Sequence, residues 1–262
     1  MHQGYLVVLY QTYGRGLPPF GRIRTHRFYF LKGAAMNQKE IRKTAVLVDG
    51  GYYRKRASAL WGTKSAEERA NELFRYCLLH ISEPDEPRDL YRIFYYDCPG
   101  MTRQIVHPLT GNVIDFSRGA GTRWTREFFE KLASKRKLAI RRGELAENQA
   151  EFILKPSVVS DLISGRRAVS DLTEWDFRLD VKQKGVDMRI GLDAASIAAG
   201  KLANQIVLIA GDSDFLPVAK IARRSGIDFI LDPMKQVPKV NLLEHVDGIE
   251  TYVDKMYQSG QA

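Results

Sequence analysis

Short β-branched apolar runs alternate with amphipathic stretches along most of the chain. Five stretches read as strands and four as helices. The strands are expected near 43–48, 90–96, 137–144, 205–211 and 227–232, and the helices near 65–81, 122–136, 188–201 and 215–226. Strands that alternate with helices at this spacing form βαβ units. The pattern therefore predicts an α/β fold with a mainly parallel central sheet.

The alternation is continuous enough to indicate one domain. It runs from about residue 43 to 254, and residues 146–175 read as an insertion with one short helix. Residues 255–262 are expected to form a C-terminal tail. A polar stretch at 107–121 is expected to be a loop or a small hairpin because it is rich in turn-forming residues.

Composition narrows the functional classes. The 262 residues carry a net charge of +9, which favours a polyanionic partner. No apolar run approaches the roughly 18 to 20 residues that span a bilayer, so we expect no membrane segment. Cys77 and Cys98 lie far apart, and the five histidines are scattered. We therefore expect no disulfide framework and no histidine-based metal site, in keeping with a cytoplasmic protein.

The acidic residues mark one edge of the predicted sheet. Asp49 ends the first strand, and Asp212 and Asp214 follow the strand at 205–211. Asp187 begins a helix whose N-terminus faces the same edge. In open α/β sheets, ligands bind at the carboxyl ends of the strands. Each acid taken alone is explained equally well as a helix cap or a favourable first-turn charge.

Four carboxylates at one edge nevertheless repel one another unless a cation lies between them. Oxygen ligands of this kind suit Mg²⁺ or Mn²⁺. One or two such ions activate water and stabilise the charge on a phosphodiester under attack. The sequence therefore favours a divalent metal site over four independent caps.

Three segments resemble the NYN family of PIN-like nucleases, in its LabA/DUF88 branch. They read "VLVDGGYY", "KGVD…LD" and "LIAGDSDFLPVA", and the resemblance spans about 43–254. It implies a PIN-like three-layer α/β/α sandwich and a metal-dependent ribonuclease. It also implies that the catalytic and metal-binding residues are Asp49, Asp187, Asp212 and Asp214.

The chain departs from the family pattern at one position. Tyr52 stands where many members have an asparagine, so an amide that orients the site is missing. Asp193 follows Asp187 by six residues, which places it about 120° around the helix at roughly 100° per residue. Asp193, Asp97 and Ser213 are therefore expected to surround the metal ligands rather than bind the ion, although turn formation explains Asp97 as well.

A basic segment offers a surface for RNA. Residues 118–142 hold nine Arg or Lys and two acids. Arginine can follow a phosphate backbone while an exposed aromatic stacks on a base. The alternative to an RNA-binding surface is that these charged residues only form a solvated face, with Phe128 and Phe129 in the core. The expected RNA contacts are Arg118, Arg123, Trp124, Arg126, Arg141 and Arg142.

The sequence thus predicts a cytoplasmic, Mg²⁺- or Mn²⁺-dependent endoribonuclease. Two other classes stay open. One is a PIN-like module that binds RNA or protein without cleaving, and the other is a small-molecule phosphohydrolase that uses the same crevice. The phosphohydrolase is disfavoured because the chain has no GxxxxGK[ST] loop, no GxGxxG after the first strand and no Asp-x-Asp-x-Thr run. Nothing in the sequence sets the oligomeric state.

Residues 1–42 are expected to be a poorly ordered extension, with Met36 as the natural start. The first 35 residues hold five Arg or Lys, no acid and a Gly/Pro-rich centre. A protein that starts at Met36 should therefore keep its thermal transition and any nuclease activity nearly unchanged. Calorimetry and a cleavage assay on both forms check this. A large loss of stability in the shorter form would show that the extension docks on the core.

Overall fold

The computed structural model describes residues 41–82, 87–211 and 213–259. Three sequence predictions lie outside these residues: the extension before residue 41, the start at Met36, and the placement of Asp212. The side chain of Ser213 is also outside the description.

A six-stranded parallel sheet forms the centre of the fold. Its strand order is β12-β11-β10-β1-β2-β5, and every neighbouring pair runs parallel. The strands are β1 (Arg42–Asp49), β2 (Arg88–Asp97), β5 (Leu138–Arg142), β10 (Gln205–Ile209), β11 (Asp228–Asp232) and β12 (Gly248–Ile249). The predicted α/β class is confirmed.

Helices cover both faces of the sheet. They are α1 (Gly50–Trp61), α2 (Ala66–Leu79), α3 (Ala120–Ala133), α4 (Pro156–Ile163), α5 (Val186–Ala199), α6 (Leu216–Arg224), α7 (Val240–Leu243) and α8 (Val253–Ser259). Helices α1, α2, α3 and α8 share one core with Val46 and Val48, whereas α5, α6 and α7 share the other with Ala45 and Leu47. Because alternate residues of a strand point to opposite faces, β1 contributes to both cores, and the fold is the expected three-layer sandwich.

The remaining strands form three small antiparallel pairs. These are β3 (Gln104–Val106) with β4 (Val113–Asp115), β6 (Glu144–Leu145) with β9 (Gln183–Lys184), and β7 (Glu151–Leu154) with β8 (Phe177–Asp180). The first pair is the predicted small hairpin. Helix α4 is the predicted short helix of the insertion. Within the described ranges, no helix is both long and apolar enough to cross a bilayer.

Helix α1 begins directly at the end of β1. The sequence does not predict this helix start, because Gly50 and Gly51 disfavour a helix. Asp49 caps α1, since the Tyr52 backbone N–H donates to Asp49 Oδ1 at 3.1 Å. Gly50 allows the close approach of this helix to β2. A β-carbon at Gly50 would lie 2.5 Å from the Tyr95 ring and 2.7 Å from the Tyr96 carbonyl oxygen.

This close approach predicts different outcomes for two neighbouring glycines. Gly50→Ala should lower the free energy of unfolding by about 1–3 kcal/mol, because the added methyl group overpacks the core. Gly51→Ala is the matched control, since its β-carbon would meet nothing closer than 3.6 Å. Urea unfolding of both variants measures the difference. Equal stabilities for the two variants would contradict the proposed packing.

Candidate active site

The ends of β1 and β10 lie side by side. Val48 pairs with Ile209 in the parallel register, so both strands end at the same edge of the sheet. Gly211, two residues beyond β10, contacts Tyr52 so closely that a β-carbon there would lie 2.2 Å from the Tyr52 ring. The chain therefore leaves β10 beside Asp49.

Asp49 is unusually basic for a carboxyl group. Its pKa is raised from 3.8 to about 6, chiefly by burial. The hydrogen bond from the Tyr52 backbone N–H lowers this pKa, while the negative charges of Asp187 and Asp97 raise it. The structure therefore brings three carboxyl groups from three separate segments close enough to interact.

Asp187 and Asp214 are both exposed to solvent. Asp187 is the second residue of α5, where the helix dipole favours a negative charge. Asp214 lies on a single 3₁₀ turn, Ser213–Phe215, whose Phe215 is buried in the core. Across the described part of the chain, no three His, Cys, Asp or Glu side chains are grouped closely enough to hold a metal ion.

The donor set nevertheless fits a hard divalent cation. Mg²⁺ usually keeps several waters and binds through one or two protein carboxylates. Asp49 and Asp187 interact at this edge and are the described residues that could hold the ion. A cation there would favour the ionised form of Asp49, which burial and the neighbouring negative charges disfavour.

Asp97 has protein partners on both of its oxygens. Arg54 lies 2.9 Å from Oδ2 through Nε, and the Tyr95 hydroxyl donates to Oδ2 at 2.8 Å. The Cys98 backbone N–H donates to Oδ1 at 2.8 Å. Burial raises the pKa of Asp97, although Arg54 opposes that shift. Asp97 therefore holds Arg54 at the edge of the site. Nothing in the local sequence predicted this pairing.

Asp193 ties α5 to the sheet. Its Oδ2 accepts a hydrogen bond from the Tyr96 hydroxyl at 2.9 Å and forms an ion pair with Arg141 Nε at 2.8 Å. Tyr96 lies on β2 and Arg141 on β5. These contacts hold the helix whose first turn carries Asp187.

Tyr52 takes a structural position beside the site. Its hydroxyl donates to the Pro233 carbonyl oxygen at 2.5 Å, and burial raises its pKa above the usual value. The side-chain amide of Gln183 lies near Asp49. A β-carbon at Gly51 would lie 3.6 Å from Asp49 Oδ1 and 3.8 Å from Gln183 Oε1. No local pattern in the sequence selects Gln183, because the residue is distant from Asp49 in the chain.

The six expected RNA contacts divide into two groups. Trp124 stacks on Phe128 with ring centroids 4.9 Å apart and donates to the Lys64 carbonyl oxygen, and Arg141 pairs with Asp193. Both therefore make internal contacts. The other four are exposed, and Arg118 makes only a long ion pair of 3.6 Å with Asp115. These four are Arg118, Arg123, Arg126 and Arg142.

The three-layer sandwich and the acidic edge of its parallel sheet define a PIN-like α/β protein. A sequence model of the NYN domain matches residues 116–240, a range that includes Asp187, Asp212 and Asp214. The chain therefore carries a domain of the NYN family, whose members are generally nucleases. A search of curated proteins finds no significant match.

The raised pKa of Asp49 predicts how stability changes with pH. The folded protein binds this proton more tightly than the unfolded chain, so stability falls as pH rises from about 4 to above 6. Asp49→Asn removes this loss of stability at higher pH, and the asparagine still caps α1. Without divalent ions, the variant should be more stable than the wild type at pH 7.5 by about 1–3 kcal/mol. The gain should disappear by pH 4.

Urea unfolding at several pH values measures this effect. Asp89→Asn serves as the control, because Asp89 is exposed at the opposite edge of the sheet and should change stability little at any pH. If Asp49→Asn destabilised the apo protein at pH 7.5, burial and the neighbouring charges would not disfavour the ionised form of Asp49 as described.

Proposed function

We propose that the protein is a metal-dependent ribonuclease that cleaves RNA internally. Asp49, Asp187, Asp212 and Asp214 would hold Mg²⁺ or Mn²⁺ at the carboxyl edge of the sheet. The observation that carries the proposal is the buried position of Asp49 beside Asp187 and Asp97, whose negative charges add to the larger effect of burial in raising its pKa. Arg54 balances Asp97. The remaining negative charge calls for a cation.

The chemistry follows from this charge distribution. When bound, a divalent ion supplies activated water at neutral pH and stabilises charge on the phosphoryl oxygens. One of the carboxylates at this edge would accept a proton from the attacking water. The Tyr52 and Gly51 backbone N–H groups hold the Asp49 side chain in place.

Exposed arginines support RNA as the substrate. Arg118, Arg123, Arg126 and Arg142 lie on or next to α3 and at the end of β5. They would bind backbone phosphates, and the net charge of +9 would attract the polyanion over a longer range. Cys77 and Cys98 are free and buried, in keeping with a reducing cytoplasm.

A non-cleaving RNA-binding module is the second candidate. Tyr52 favours it, because its side chain is directed to Pro233 rather than supplying the amide expected at that position. The two candidates share the fold and the basic surface. They differ only in whether a metal-dependent cut occurs.

Asp212→Asn separates these candidates. Asn caps a helix about as well as Asp, so the fold should be kept. Removing one negative charge from the metal site should lower Mn²⁺-dependent RNA cleavage at least tenfold, while RNA binding stays equal or improves. Cleavage rates and fluorescence anisotropy measure the two effects.

Asp228→Asn is the matched control because Asp228 lies at the opposite edge of the sheet, where β11 begins. It should leave cleavage unchanged. Cleavage by the Asp212→Asn variant at the wild-type rate would show that Asp212 takes no part in the mechanism. A wild-type protein that binds RNA but never cuts it would support the binding module.

A further inference from the structure

A cavity of about 450 Å³ opens beside the acidic edge. Pro99 and Gly100, in the loop after β2, form one wall, and Arg142, the last residue of β5, forms another. Asp97 pairs with Arg142 in the sheet register and comes just before the loop. Neighbouring strands lie about 5 Å apart. The cavity therefore begins about 10 Å from Asp49, two strands across the sheet.

The lining combines an apolar wall with polar groups. Phe129, which is only 3% exposed, and Gly100 contribute to the wall, and Ser117 and Thr125 add hydroxyl groups. Glu130 is the one carboxylate among the lining residues. The volume lies within the range of about 300–1,000 Å³ that is typical of small-ligand sites. This combination suits a flat heterocycle with polar edges, and Glu130 can accept hydrogen bonds from an exocyclic amino group.

Two arginines flank the opening. The Arg142 guanidinium lies 5.5 Å from the centroid of the Phe129 ring, and Arg126 comes from the next turn of α3. Both are exposed, and neither forms an ion pair with any residue the structure describes. A guanidinium plane can stack on a base, and its N–H groups can bind the adjoining phosphate.

We propose that this cavity binds one unpaired base of an RNA strand whose phosphate lies at the acidic edge. The proposal rests on the nuclease function proposed above and adds the place where one base of the substrate is held. An unstacked base enters the cavity, and its flanking phosphates meet Arg126 and Arg142. Proteins commonly read RNA through unpaired bases in this way.

The test uses a short fluorescein-labelled single-stranded RNA with one abasic residue moved along it. Binding is measured by anisotropy in EDTA, so that no strand is cut. For the wild type, an abasic residue at one register should weaken binding about tenfold, and at the other positions it should change little.

Two variant pairs locate this effect. Ser117→Trp fills the cavity without changing charge and should abolish the position dependence, whereas Ser134→Trp, at the far end of α3, should keep it. Arg126→Ala should weaken binding of the intact strand more than Arg136→Ala does. Arg136 is an equally exposed arginine outside the cavity.

Equal binding of all abasic strands by the wild type would overturn the base-binding proposal. So would position dependence that survives in Ser117→Trp. Neither result touches the nuclease proposal, which fails separately if the wild type does not cut RNA with Mn²⁺.

Discussion

The burial of two carboxyl groups where β1 and β2 end is the constraint on which the site depends. Asp49 is half-buried near the middle of a six-stranded sheet, and Asp97 is fully buried one strand away. Burying an ionised carboxylate is costly unless a positive group compensates it. Arg54 compensates Asp97, but Asp49 has only backbone N–H groups and two negative neighbours. This unfavourable charge lies at the edge of the sheet where we propose that a cation binds.

Long-range contacts fix the segments that carry the acids. Arg141 and Tyr96 hold Asp193 and thereby set the position of α5. Gly185, with a φ of 79°, allows the chain to turn sharply into that helix. On the other side of Asp49, Tyr52 contacts Gly211 and bonds Pro233, which links α1 to the loops after β10 and β11. The acidic edge is therefore assembled by aromatic and ionic contacts between elements far apart in the chain.

The sequence predicted a strand or helix best where the residues of that element alone determine it. The runs before Asp49 and Asp212 predicted buried parallel strands, and Ser65 with its early acids predicted a helix start that the structure shows as a capping box with Glu68. Helix α1 was not predicted, because Gly50 and Gly51 disfavour a helix locally. The Asp49 cap and the packing of Gly50 on Tyr95 override that preference.

Pairings between distant residues could not be predicted. Arg54 and Asp97 are 43 positions apart, and only the register of β1 with β2 brings them together. Trp124 was expected to contact RNA, and in the structure it is half-buried and stacks on Phe128 against the core. A charged or aromatic residue on a helix gives no sign of which face it occupies until the sheet beneath it is known.

The most direct test is cleavage of matched RNA and DNA oligonucleotides with and without Mn²⁺. The ribonuclease account predicts internal cuts in single-stranded RNA only when the ion is present, no cuts in EDTA, and slower cutting or none of the DNA strand. RNA cleavage that continues unchanged in EDTA would contradict a carboxylate-held metal ion as the source of the activity.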